Sequence, residues 1–277
     1  MKLSSYIKMN PISGQKGYGN MVVKVCGMTD IGKRRELNED SFEIRGFENG
    51  TPLGVCILAD GMGGHNAGEV ASSMAAKAVA DELCESFDEE DSKKIIKNMA
   101  SAIDYANATV FEKSLSSREH AGMGTTLVAA YVKDASIRFA NIGDSRAYVA
   151  NNESICKITV DHSVVEEMVQ RGAITREEAR VHPDKNIITR ALGTENYVDA
   201  DFYDYSASVG ETVVLCSDGL TETVSEEEIR EIVTADEDVC EIVKKLIDKA
   251  NENGGLDNIT IVVIRFEKEE KSDDADR

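Results

Sequence analysis

The sequence predicts an α+β fold built on antiparallel sheet. Strand-length apolar runs and helix-length amphipathic runs come in blocks rather than in strict alternation. Between residues 125 and 158, short strand-like runs follow one another with only turn residues between them, as in a meander. No internal repeat or linker divides the chain, so one domain over about 21–267 is the simplest organisation.

The elements follow in order. Residues 22–28 read as a strand, and a polar loop runs from there to Asp40. A second strand covers 41–45. Residues 53–59 form a continuous apolar run, as expected of a buried strand. That run stops at Asp60, where three glycines follow within four residues. Two helices come next. The first groups Val70, Met74, Ala78, Leu83 and Phe87 near one face, and the second groups Ile95, Met99, Ile103, Ala106 and Val110. Asp91 or Ser92 is placed to cap the second. The meander strands are 125–132, 136–141, 146–150 and 154–158. Residues 161–193 break the pattern, being polar and weakly helical and containing His182-Pro183. Strands at 197–205 and 211–216, helices at 225–233 and 237–251, a turn at Asn253-Gly254-Gly255 and a strand at 259–266 complete the domain. Residues 1–20 read as a flexible extension and 268–277 as an acidic disordered tail.

Composition narrows the function. The 277 residues are 42% hydrophobic and 30% charged, an ordinary globular balance. A net charge of −20 argues against nucleic acid as a partner. The six cysteines form no CxxC pair and mostly lie in apolar runs, so they read as reduced core residues of a cytoplasmic protein. No apolar run is long enough for a membrane span, and no signal-peptide core is visible. The histidines, at 65, 120, 162 and 182, show no zinc-ligand spacing.

The chemistry lies in scattered aspartates. Asp60, Asp218 and Asp257 each sit at the boundary of a strongly apolar run, and Asn38-Glu39-Asp40 precedes another strand. Taken singly, each reads as a turn residue, as does Asp144 in Gly143-Asp144-Ser145-Arg146. Strands from distant parts of a chain can bring their ends together, however, and gathered carboxylates repel unless a cation sits among them. The Asp60 carboxylate and a free glycine carbonyl can serve the same cation, and an all-oxygen set suits Mg²⁺ or Mn²⁺. A dinucleotide fingerprint fails because Asn66 stands where the third glycine belongs, and no P-loop Gly-Lys-Ser/Thr follows. Arg35, in a small basic patch, can grip a phosphate with parallel hydrogen bonds or be a solvated loop charge.

Together these clusters, with Gly124-Thr125-Thr126, Asp161-His162-Ser163, Arg190-Ala191-Leu192-Gly193, Ser217-Asp218-Gly219-Leu220 and Asp257-Asn258, resemble the metal-dependent serine/threonine protein phosphatases of the 2C type, most of all the single-domain bacterial members. The resemblance spans about 21–266. It implies a four-layer αββα sandwich, two central antiparallel sheets flanked by helix pairs. It also implies two Mn²⁺ or Mg²⁺ ions, bridged by Asp60, with the Gly61 carbonyl on the first and Asp218 and Asp257 on the second. By the same resemblance Asp40 and Glu39 hold water on the metals, and Asp144 with Asp218 matches a third ion of bacterial relatives. Arg35 matches the phosphate-gripping arginine, and 161–193 a flap beside the site. Met62 stands where eukaryotic relatives carry a histidine, so the general acid stays unassigned; His65 and His162 are candidates, His162 more plausibly structural. The implied partners are phosphorylated proteins, among them a serine/threonine kinase, and the implied state is a monomer. Two rivals are an inactive relative that only binds phosphoproteins, disfavoured by intact aspartates, and a two-metal phosphodiesterase or nuclease, disfavoured by the charge.

Overall fold

The computed structural model describes residues 5–9, 21–63, 67–89 and 91–268. In chain order the elements are β1 (Ser5–Met9), β2 (Met21–Asp30), β3 (Asp40–Gly46), β4 (Leu53–Met62), α1 (Ala67–Cys84), α2 (Ser92–Ser116), β5 (Gly124–Thr125), β6 (Leu127–Lys133), β7 (Ser136–Ile142), β8 (Arg146–Ala150), β9 (Ile155–Lys157), α3 (Val164–Gln170), α4 (Arg176–Arg180), β10 (Asp201–Ser206), β11 (Thr212–Cys216), α5 (Asp218–Thr221), α6 (Glu226–Val233), α7 (Val239–Glu252) and β12 (Ile259–Lys268). One sheet runs β1-β2-β12-β11-β8-β9 and the other β10-β7-β6-β4-β3, with β5 paired to the end of β4. All pairings are antiparallel.

Strand periodicity sorts the side chains into three apolar layers. In β4, Val55, Ile57 and Ala59 face α1 and α2, while Cys56 and Leu58 face the opposite sheet. In β12, Ile261 and Val263 pack with Leu246 and Ile247 of α7, while Val262, Ile264 and Phe266 fill the space between the sheets. Each fully buried Val, Leu or Ile contributes roughly 1.5–3 kcal/mol relative to exposure. The result is the αββα sandwich, with helices outside both sheets.

Several local expectations shift. Asp91, rather than Ser92, caps α2 by accepting from Lys93 N at 2.9 Å. On α1 the buried side is Ala67, Ala71, Ala75, Ala76, Val79, Ala80 and the expected Leu83, with Val70, Met74 and Ala78 at its margin. An alanine-rich helix is apolar on most sides, so its pattern orients it weakly, and the smallest side chains take the sheet-facing side. Residues 5–9, within the expected flexible extension, pair with β2, Ser5 opposite Thr29 and Met9 opposite Val25. The tail from 269 onward lies outside the described residues. Cys26 of β2 and Cys240 of α7 form a disulfide, contrary to the reduced set expected; a separation of 214 residues hides such a pair from the sequence. The four other cysteines are free. Among the described residues no helix is long and apolar enough to cross a membrane.

Candidate active site

Distant segments end at one edge of the sandwich. Asp40 at the start of β3 and Asp60 near the end of β4 are direct partners in the ladder. β11 runs through Ser217 into α5, which begins with Asp218. Asp257-Asn258 leads into β12, and the turn between β7 and β8 carries Gly143 and Asp144.

The negative fields of these carboxylates meet at Asp60. Burial holds its carboxyl well above the ordinary range, and Asp40, Asp218, Asp144 and Asp257 each push it further. Asp218 is likewise raised by burial, then by Asp144, Asp257, Glu222 and Asp40. Burial pushes Asp40 up to about 6 against hydrogen bonds from Thr260 and Ser217. Asp144 is also pushed up to about 6, by burial and then by Asp161, with Arg146 opposing. Burial raises Glu39 against the attraction of Arg35.

The surrounding backbone is held tightly. Asp60 N donates to Thr126 Oγ1 at 2.9 Å, while Thr126 N and Thr125 Oγ1 donate to Asp60 O at 2.9 and 2.8 Å. Gly61 N donates to Glu39 O at 3.0 Å. A Cβ at Gly61 would overlap the carbonyl oxygens of Gly68 and Glu39, so only glycine fits there. Ser217 Oγ donates to Asp40 Oδ2 at 2.8 Å and accepts from Thr260 N at 3.0 Å.

Arg35 Nη2 lies 2.6 Å from Asp257 Oδ2, and this bond raises the guanidinium above its ordinary range. The other Asp257 oxygen accepts from Asn258 N at 2.8 Å. The Asn258 side chain ties down the loop that carries Arg35. Its Nδ2 donates to Ile31 O and Leu37 O at 3.0 and 2.9 Å, and its Oδ1 accepts from Glu39 N at 2.9 Å.

The chemistry of the donor set fits a hard divalent cation. Glu39 Oε1, Asp40 Oδ1 and Asp218 Oδ1 are buried without a hydrogen-bond partner, a costly arrangement for carboxylates that face one another. Among the described residues no three His, Cys, Asp or Glu side chains close on one point. A cation here therefore needs further ligands from backbone carbonyl or water.

The structure thus brings Arg35, Glu39, Asp40, Asp60, Gly61, Asp144, Asp218 and Asp257 to one edge. His65 lies outside the described residues. His162 is 5% exposed and both of its ring nitrogens face protein groups, which makes it structural. Met62 pairs opposite Gly124. Thr125, Thr126, Ser217 and Asn258 stand within the motifs but carry no visible task in the sequence, because each acts through bonds to residues far away in the chain.

A family model described as protein phosphatase 2C matches residues 32–258. The serine/threonine phosphatase stp of Listeria monocytogenes is 40% identical over 247 residues, covering 89% of this chain and 97% of that protein. A Streptococcus agalactiae serine/threonine phosphatase structure superimposes with a TM-score of 0.82 at 37% identity, covering 88% of this chain and 99% of that one. The catalytic domain of the serine/threonine protein phosphatase PstP, solved in complex with two manganese ions, does so at 0.77 with 33% identity, covering 90% and 100%. With the sandwich, the matched span and this similarity in agreement, the chain belongs to the protein phosphatase 2C family of serine/threonine phosphatases.

Proposed function

We propose that this phosphatase removes phosphate from phosphoserine and phosphothreonine in proteins by using water activated at a pair of Mn²⁺ or Mg²⁺ ions, and so reverses a serine/threonine kinase. The observation that carries this reading is the elevation of Asp40, Asp60, Asp144 and Asp218, by burial first and then by neighbouring carboxylates, together with the orphaned oxygens on Glu39, Asp40 and Asp218. The two manganese ions of the PstP domain support it by similarity.

Asp60, the Gly61 carbonyl, Asp218 and Asp257 would hold the two ions, with Asp40 and Glu39 on their water and Asp144 with Asp218 on a third. Bound there, such ions acidify water and offset phosphate charge. The chain's own groups do the rest. Arg35 is half exposed, and its pair with Asp257 engages one nitrogen of a guanidinium that offers five N–H donors, leaving others for phosphate oxygens. Asn258 holds the Arg35 loop and Glu39 against Asp257. Ser217 keeps Asp40 oriented. Substrates are phosphorylated proteins, the kinase among them. The protein is read as a cytoplasmic monomer, although the Cys26–Cys240 disulfide removes the support that reduced cysteines lent to that location.

The test is release of phosphate from a phosphothreonine peptide by the purified protein with Mn²⁺ and with EDTA. Hydrolysis with Mn²⁺ that EDTA abolishes is expected. A metal-loaded, folded protein that binds the peptide without releasing phosphate would favour the inactive binder instead.

A further inference from the structure

The segment between Asp161 and Leu192 leaves the sandwich and returns to it, and its two ends meet. Thr189 N donates to His162 O at 2.8 Å, and Val164 N donates to Ile187 O at 2.9 Å. His162 sits at this stem. Its Nδ1 accepts from Gly143 N at 3.1 Å, and its own N donates to Gly143 O at 2.9 Å. One residue therefore grips Gly143 from both sides, next to Asp144.

The far side of the ring is equally engaged. Nε2 lies 3.1 Å from Asp201 Oδ2, at the start of β10, and 3.2 Å from Arg190 Nη1. Because Nδ1 accepts, the ring proton sits on Nε2 and is donated to Asp201, which leaves Nε2 no lone pair for the Arg190 N–H. Arg190, at the exit of the segment, donates to Asp201 Oδ1 at 3.0 Å. Burial opposes ionisation of Asp201, but the bonds from His162 and Arg190 prevail and hold its carboxyl below the ordinary range. Two residues beyond Arg190, Leu192 exchanges backbone bonds of 2.9 Å with Thr125, whose hydroxyl donates to Asp60 O.

Gly143 itself is fixed by its setting: its φ is +95°, and a Cβ there would lie 2.6 Å from Thr126 Cγ2, so only glycine fits. The two bonds from His162 to Gly143 couple a shift at His162 to the turn.

We infer that His162 is a positioning residue: from the base of the flap it sets the Gly143–Asp144 turn, so that flap attachment and the aim of the Asp144 carboxylate toward a divalent cation are one mechanical unit. The cation half of this inference rests on the proposed metal reading; the positioning half does not.

Two conservative variants separate positioning from mere packing. In His162→Asn the amide oxygen stands where Nδ1 accepts from Gly143, but the side chain falls short of Asp201. In His162→Gln the amide reaches toward Asp201 and leaves Gly143 N without its acceptor. Amide hydrogen exchange at residues 143–145 is measured in EDTA-treated protein, and Mn²⁺ affinity by calorimetric titration. His162→Gln is expected to speed exchange and weaken Mn²⁺ binding by about tenfold each, the size of an outer-shell effect, and His162→Asn to stay within about threefold of the parent on both. Equal behaviour of the two variants, or parent-like exchange in His162→Gln, overturns the inference. If His162→Gln does not fold, His162→Ala, which also leaves Gly143 N without its acceptor, decides: exchange at 143–145 faster than in His162→Asn supports the inference, and exchange equal to that of His162→Asn overturns it. If exchange responds as expected but Asp144→Asn leaves the Mn²⁺ titration unchanged, the assignment of Asp144 as a ligand fails while its positioning by His162 stands.

Discussion

Two stretches of β4 differ sharply within a few residues. From 55 to 59 every side chain is fully buried and apolar, alternating between the helix layer and the opposite sheet. At Asp60 the same strand places a carboxylate among four others that all oppose its ionisation. The middle of the strand is where burial stabilises; its end is where burial makes charge unfavourable. The difference teaches that the sandwich holds the site in a form it would not adopt for stability alone, and that cations or protons relieve it.

Breaking the charged end has the largest expected effect. Asp60→Asn should lower phosphatase activity on the order of 100- to 1,000-fold, while the EDTA-treated variant melts at or above the parent temperature, as followed by calorimetry. A fall in both would mean that Asp60 is a structural residue. Breaking the apolar stretch should do the reverse. Leu58→Ala is expected to cost about 2–5 kcal/mol in denaturant unfolding, with little change in activity per folded molecule.

Proton linkage sharpens the contrast. Asp40 and Asp144 rise from an ordinary 3.8 to about 6 in the fold. Between these values the folded state keeps protons that the unfolded state has released. The stability these groups contribute is therefore complete below 3.8 and is lost as pH rises through about 6. In EDTA the melting temperature should show this loss. Mn²⁺ or Asp144→Asn should flatten it, and a profile identical in all three conditions would contradict the charge cluster. The smallest effect lies far from both stretches. Asp91→Ala removes the α2 cap and should cost about 1 kcal/mol without touching activity.

Much of the sandwich was legible because its strands are short apolar runs bounded by turns, as at 53–59 and 259–266. The candidate site was legible because Asp60, Asp218 and Asp257 each stand at the boundary of such a run. What stayed hidden depends on contacts across the chain. Asn258 reads as one more polar residue until its side chain is seen to bridge Ile31, Leu37 and Glu39. The pairing of Cys26 with Cys240 and the grip of His162 on Gly143 have no local signature. The expectation that β10 begins near 197 missed by several residues, because Tyr197 is 63% exposed and only Asp201 onward finds a partner in β7.

The placing of β12 sets the timing of assembly during synthesis. This last strand lies inside its sheet, between β2 and β11, and brings Asp257 and Asn258 with it. Until it docks, β2 and β11 each present an unpaired edge, Asp40 lacks the Thr260 and Ser217 arrangement, and the Arg35 loop lacks the Asn258 bonds. A growing chain can form its first helix pair and second sheet earlier, yet it gathers its charges only once residues 257–268 have been made. Until those residues emerge, the edge at which Asp40, Asp60 and Asp218 face Asp257 is incomplete.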